Sequence, residues 1–256
     1  MIEVRDVFKT FKLSRQQKRE MGSAFPGDTV HAVAGVSFVC RPGRIFSLLG
    51  PNGAGKTTTL RMIATMLRPT AGTILVNSRD CVRDPESVRA SLGFLTGSTQ
   101  LYDRLTPREL VRYVADLHKV PRDVFARRRD EIFTALDMGE YADRRIGKLS
   151  TGMKQKVSIA RTLIHDPEVL VLDEATAGLD VLASRSIVNL VRQARADGKT
   201  VLFSTHRMGE VGQLSDDLAL IHRGRLLYNG SYDEFTRGMK APTLEDEFIR
   251  RIEEAA

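Results

Sequence analysis

Short apolar runs of strand length punctuate the first hundred residues. "GVSFVC" (35–40), "IFSLLG" (45–50), "TILVN" (73–77) and "LGFLT" (92–96) lie between turn residues, the pattern of strands in a buried sheet. Leu60, Ile63, Ala64 and Leu67 recur at i, i+3, i+4 and i+7, which predicts one apolar helix face ended by Pro69. The period then changes. "TPRELVRYVADLHKVP" predicts a helix with Thr106 as N-cap, Pro107 at the first helical position and Glu109 closing a capping box. Leu110, Tyr113, Val114 and Leu117 are its expected buried stripe. A second helical pattern runs from about Asp123 to Met138, and a third follows "LSTG" through Met153, Val157, Ala160 and Ile164 to Pro167. Residues 98–166 therefore read as all-helical.

Strands return beyond Pro167. "EVLVLDE" (168–174) is a continuous apolar run ending in two carboxylates, as in a strand buried on both faces. A helix with Ile187, Leu190, Val191 and Ala194 inward and Gly198 past its end leads to a similar strand, "TVLFSTH" (200–206). "LALIHRGRLLYNG" (218–230) predicts a hairpin turning at Arg223-Gly224. Residues 13–30 read as a long loop, and "TLEDEFIRRIEEAA" as a short amphipathic helix on the core or a partner. Strand–helix alternation around a helical insert implies a mostly parallel α/β core with a helical lobe.

Composition narrows the class. The chain is 42% hydrophobic and 28% charged, ordinary for a soluble globular protein. No apolar run approaches the ~20 residues that span a bilayer, and "MIEVRDVFKTFK" lacks the apolar core of a secretory signal. Cys40 and Cys81 stand in no CxxC or CxxH spacing, so two buried thiols are expected rather than a zinc site or a disulfide. The net charge of +7, with a pI near 9.6, suits an anionic partner such as a nucleotide, a nucleic acid or an acidic membrane face. Aromatics do not interleave with the basic clusters as a single-strand binder requires.

The chemistry centres on "GPNGAGKT" (Gly50, Pro51, Asn52, Gly53, Ala54, Gly55, Lys56, Thr57), which follows an apolar strand and precedes a helix. Glycines let backbone N–H groups curl around phosphate oxygens, and the helix N-terminus adds partial positive charge. Lys56 can reach β- and γ-phosphates, and Thr57 can ligate Mg²⁺. Asp173 and Glu174 end a buried strand at the edge where open α/β sheets bind ligands; Asp173 can hold Mg²⁺ and Glu174 can polarise an attacking water. His206 ends the later strand and can reach the same edge.

In order along the chain, "GPNGAGKTT" (50–58), "LSTGMKQK" (149–156), "LVLDE" (170–174), "AGLD" (177–180) and "STH" (204–206) resemble Walker A, signature, Walker B, D-loop and switch histidine of the nucleotide-binding subunits of ABC transporters. "GFLTGSTQLYDRLTPRE" and "LSTGMKQKVSIART" are similar to the NatA-like, sodium-exporting branch. The resemblance implies a P-loop NTPase (RecA-like) α/β core at 1–97 and 167–235, with an N-terminal antiparallel β part, a helical lobe at 98–166 and a helical tail at 236–256. It implies ATP and Mg²⁺ as ligands, Lys56, Glu174 and His206 as catalytic residues, Thr57 and Asp173 on the metal, and Thr58 on phosphate. It also implies a head-to-tail pair, homodimer or heterodimer, in which Ser150, Thr151, Gly152 and Asp180 face the nucleotide of the other copy. Permease subunits in the membrane would be moved from its cytoplasmic face, and no nucleic-acid partner is expected.

Three departures from the family pattern bear on these expectations. Thr151 and Met153 replace the commoner Gly and Gln of the signature. Gly97 stands where the family usually has a glutamine, with Gln100 three residues on. The adenine-stacking aromatic is blurred by the 13–30 insertion, and Phe11 is the candidate. Two rival readings are a soluble ABC-type ATPase acting on nucleic acid or in cluster assembly, and a cassette that binds ATP without hydrolysing it.

Overall fold

The computed structural model describes residues 1–14, 28–96, 100–177, 179 and 181–254. Two sheets organise them. β1 (Ile2–Lys12), β2 (Thr29–Cys40), β4 (Ala71–Val76) and β5 (Arg79–Asp80) form an antiparallel sheet in the order β2-β1-β4-β5. Its alternating apolar positions, among them Ile2, Val4, Val36 and Phe38, are buried.

The second sheet has the order β10-β9-β3-β8-β7-β6, with β3 (Ile45–Leu49), β6 (Leu92–Thr96), β7 (Val169–Asp173), β8 (Thr200–Thr205), β9 (Asp217–His222) and β10 (Arg225–Ser231). Only the β9–β10 hairpin is antiparallel, turning through Arg223 (φ 46°) and Gly224 (φ 76°), as the two-residue turn requires. β3, β7 and β8 are buried along their whole length, which explains their unbroken apolar runs. Leu49 lies opposite Thr205, and Asp173 lies between Ser204 and Thr96, so these carboxyl ends share one edge.

Helices pack around the second sheet. α1 (Lys56–Ile63) buries Leu60, Met62 and Ile63. It stops short of Pro69, because Thr65 turns into the left-handed region at φ 62°, and Leu67 still packs on the core beyond the helix. α2 (Pro85–Ser91) is capped by Asp84. From α3 (Pro107–Leu117) through α4 (Arg122–Ala135) to α5 (Thr151–Leu163), the described elements are helical. Thr106 and Glu109 form the expected capping box on α3.

The expected stripe of α3 is corrected. Its buried face is Leu110, Val111 and Ala115, whereas Tyr113 and Leu117 are 48% and 62% exposed. Apolar residues occupy two faces of this helix, and the one carrying small Ala115 and compact Val111 packs toward α4 and α5. The same cluster continues from Val111 and Leu136 to Leu172 and Phe203 in the sheet.

α6 (Val181–Ala196) buries Ile187, Val191 and Ala194, with Leu190 half-buried, and α7 (Met208–Leu214) follows β8. α8 (Tyr232–Arg237) and α9 (Leu244–Glu254) close the chain. α9 packs on the core: Phe248 joins the cluster of Phe235 and Leu220. The fully buried Glu247 accepts from Arg250, Arg251 and the Lys240 and Ala241 amides, which hold its carboxyl far below the usual range. Cys40 and Cys81 are free and buried, as expected, and burial pushes the Cys81 thiol up to about 12. No helix among the described residues is long and apolar enough to cross a membrane.

Candidate functional site

The site is built where β3 runs into α1. The loop is held by its glycines. Gly55 adopts φ 108°, and a Cβ there would lie 2.4 Å from the Ala32 carbonyl oxygen; at Gly50 it would lie 2.3 Å from that of Ile221. Only glycine lets the loop pack this closely on β2 and β9. The first intrahelical amide bond of α1 runs from Thr59 to the Gly55 carbonyl. The earlier amides, including those of Lys56, Thr57 and Thr58, point out of the helix start without intrahelical acceptors. No acidic side chain occupies this first turn, so the end is open to an anion.

Lys56 is 4% exposed. Its Nζ donates to the carbonyls of Gly50 (2.7 Å) and Pro51 (3.1 Å) and stands 3.6 Å from Glu174 Oε1. Burial lowers its pKa, opposed by the charges of Glu174 and Asp173. The ammonium is thus buried between two neutral carbonyls and the Glu174 carboxylate, at the open start of α1.

Across the sheet edge, Asp173 Oδ1 accepts from Ser204 Oγ at 2.5 Å. Glu174 follows in the left-handed region at φ 49°, a strained conformation for a residue with a side chain. Its amide donates to the Ser204 carbonyl at 3.1 Å. The same Glu174 Oε1 that faces Lys56 lies 3.1 Å from His206 Nδ1. β3, β7 and β8 therefore converge on a cation, two carboxylates and an imidazole.

Phe11 lies on β1 opposite Val30, 37% exposed, with Lys9 Nζ 5.0 Å above its ring. The neighbouring stretch of β2, at Ala32, is the part that touches the glycine loop at Gly55. Ser150, Thr151 and Gly152 start α5. The Ser150 hydroxyl accepts the Met153 amide (3.3 Å), and a Cβ on Gly152 would meet Leu179 at 3.8 Å. The contacts of Ser150 and Gly152 are thus with α5 and the segment after β7, not with Lys56. Asp180 and Gly97 lie outside the described residues.

Three residues to which the motifs assigned no role complete the neighbourhood: Ser204 and Gln155 lie inside quoted motif segments, and Glu210 lies outside them. Ser204 buttresses Asp173, a link set by strand register and invisible in a linear sequence. Gln155, one turn into α5, donates to the Ala175 carbonyl at 2.9 Å. Glu210, four residues beyond His206, is buried among hydroxyls. A charged residue on the inner face of a short helix was the available signal for Glu210.

The donor set fits a magnesium nucleotide. Among the described residues no group of three or more His, Cys, Asp or Glu could enclose a metal. A hydroxyl on Thr57 and a carboxylate on Asp173 suit an ion that takes its remaining oxygens from phosphate and water.

The family model described as ABC transporter matches residues 33–177. The chain is 39% identical over 224 residues to the ABC transporter ATP-binding protein NatA of Bacillus subtilis, spanning 87% of this chain and 91% of that one. It is 34% identical to the daunorubicin resistance ATP-binding protein DrrA3 of Streptomyces coeruleorubidus, over 88% of this chain and 70% of that one. A solved ATP-binding subunit of an ABC transporter superposes with a TM-score of 0.86 at 25% identity, over 98% of this chain and 99% of the other.

Proposed function

The chain belongs to the ABC transporter family as an ATP-binding subunit, and from that premise we propose that it hydrolyses ATP to drive transport through separate membrane subunits. The observation that carries this reading is the shared oxygen of Glu174, set 3.1 Å from His206 and 3.6 Å from Lys56 at the end of β7.

ATP phosphates bind on the amides of Gly53 to Thr58, with Asn52 and Ala54 shaping the turn, and Lys56 moves its hydrogen bonds from the carbonyls of Gly50 and Pro51 to phosphate oxygens. Phe11 offers its exposed face to adenine. Thr57 and Asp173 would hold Mg²⁺, which would supply positive charge to offset that of the β- and γ-phosphates. Glu174 orients a water and draws its proton while the water oxygen bonds to the γ-phosphorus and the bond to the β-phosphate oxygen breaks, leaving ADP and phosphate. His206 fixes the Glu174 carboxylate.

Ser150, Thr151, Gly152 and Asp180 serve the nucleotide of a second cassette, facing it head to tail. That arrangement gives the two anion-friendly helix starts separate roles, as opposite walls of one site. Closing and reopening of the pair is passed to the membrane subunits at the cytoplasmic face. The exposed apolar side chains of the helical segment support a docking role: Tyr102 and Tyr113 meet edge to face at 6.3 Å, beside Leu117 on the same helix face as Tyr113. Outward transport is the direction proposed, after the names of a drug-resistance and a Nod factor export relative and against those of two methionine import relatives, with sodium the first cargo to test.

The test is turnover by the purified chain with Mg-ATP. Glu174→Gln is expected to lower it by about 100-fold or more while ATP still binds. Turnover unchanged by Glu174→Gln would overturn the assignment.

A further inference from the structure

Glu210 sits on α7, away from the motifs that define the site, yet it gathers the two segments that carry Glu174 and His206. It is 9% exposed. Its Oε1 accepts from Thr176 Oγ1 at 2.5 Å and from Arg207 at 2.9 Å, and its Oε2 accepts from Thr205 Oγ1 at 2.7 Å. Thr176 is two residues past Glu174, and Thr205 and Arg207 flank His206. The Thr205 hydroxyl also accepts the Arg207 amide at 3.0 Å, so the chain on both sides of the histidine is pinned.

Both threonines are 2% exposed. A carboxylate buried among donors is worth keeping only if its geometry is well satisfied, and here each oxygen is engaged. The result is a bridge from the end of β7 to the end of β8 that does not pass through the reacting groups. The Glu174–His206 contact, with the histidine half exposed and the glutamate at 30%, has little packing of its own to hold it at 3.1 Å.

We infer that Glu210 is a positioning residue for hydrolysis: by holding Thr176 and Thr205 on one carboxylate, it sets the distance between Glu174 and His206. The inference rests on the proposed role of that pair. Glu210 is buried and spends both oxygens on Thr176, Thr205 and Arg207, apart from the phosphate loop and Lys56, so its loss is expected to change the catalytic step and leave ATP affinity in place. Gln at 210 retains an acceptor and adds a donor, and a threonine hydroxyl can reverse its role to meet it. Glu210→Gln is therefore the conservative variant that restores function, and Glu210→Ala is the disruptive one.

Two readouts on the full chain test this. In ¹⁵N-histidine-labelled protein, Glu174→Gln and Glu210→Ala are expected to move the His206 ring-nitrogen signals in the same direction, with Glu210→Gln near wild type. In turnover, Glu210→Ala is expected to cost about 10- to 100-fold, the scale of a catalytic group displaced by an ångström. In a His206→Ala background the same change is expected to cost less than about threefold, because the pair it positions is already gone. Should Glu210→Ala fold poorly, Thr176→Val removes one arm of the bridge with the carboxylate intact and is read the same way. His206 signals unmoved by Glu210→Ala, or an equal loss of turnover in both backgrounds, would overturn the positioning role. If Glu174→Gln itself left the His206 signals unmoved, the pair would be wrong, and the reading of the site, rather than of Glu210 alone, would fall.

Discussion

The side-chain amide of Gln155 donates to the carbonyl of Ala175 across 2.9 Å. Gln155 lies one turn into α5, which begins at the signature-like Ser150 and Thr151, and Ala175 directly follows Glu174. The helical segment is therefore tied to the backbone that presents the proposed hydrolytic carboxylate. An event at the start of α5 has a short, hydrogen-bonded route to Glu174.

Replacing Gln155 by Ala removes that tie and leaves the Ala175 carbonyl without this donor. A net loss of about 1 kcal/mol is expected from such a bond. Turnover is expected to fall about fivefold with ATP affinity unchanged, since neither the phosphate loop nor Lys56 is touched. Steady-state ATPase rates alongside a direct ATP titration check both halves. An equal fall in affinity would place Gln155 in binding instead.

The phosphate loop separates two glycines by what surrounds them. Gly55 combines φ 108° with a Cβ position 2.4 Å from the Ala32 oxygen, whereas Gly53, at φ 78°, has open space around its Cβ. Gly55→Ala must push β2 from the loop, and Gly53→Ala bears backbone strain alone, about 1 kcal/mol. Thermal unfolding is expected to show the larger drop for Gly55→Ala. ATP affinity should follow the same order. Equal midpoints for the two variants would mean that the loop does not pack against Ala32 as described.

Much of this could be read before any coordinates, and the reasons differ by element. The runs that became β3, β7 and β8 are legible because burial on both faces leaves no polar alternation. The capping box at Thr106 and Glu109 is a local hydrogen-bond pattern and survives folding unchanged. The stripe of α3 was not legible: Tyr113 and Leu117 fit the helical period as well as Val111 and Ala115, and only the packing of α4 and α5 chooses between them. Nor were Ser204, Gln155 and Glu210, whose partners are 31, 20 and up to 34 residues away and depend on strand register and helix placement.

The junction after α5 carries a pH dependence of stability. His165 stacks on His118 with ring centroids 3.7 Å apart, donates from Nε2 to the Leu92 carbonyl, and has a buried Nδ1 without a partner. Burial, the neighbouring His118, and the cations Arg128 and Lys199 hold its pKa down to about 4, with Asp166 bound to both cations. The unfolded chain protonates near 6.5 and the folded one near 4. The unfolded state therefore binds the proton first, and stability present above pH 6.5 is lost as pH falls toward 4. Between pH 7 and pH 5 this site is expected to cost about 2 kcal/mol. Urea unfolding of the wild type and of His165→Gln at both pH values checks it: the variant is expected to lose that share of the pH dependence.

The central claim is that the cradle around Lys56 and the helix start at Ser150 form opposite walls of one site shared by two chains. The most direct measurement is mass by light scattering on Glu174→Gln with Mg-ATP, with Mg-ADP and without nucleotide, ATP binding being confirmed in the same samples. A mass of twice 28.5 kDa is expected with Mg-ATP alone, reverting to the single-chain mass when Gly152→Asp is added. A single-chain mass in a sample that plainly binds ATP would contradict it.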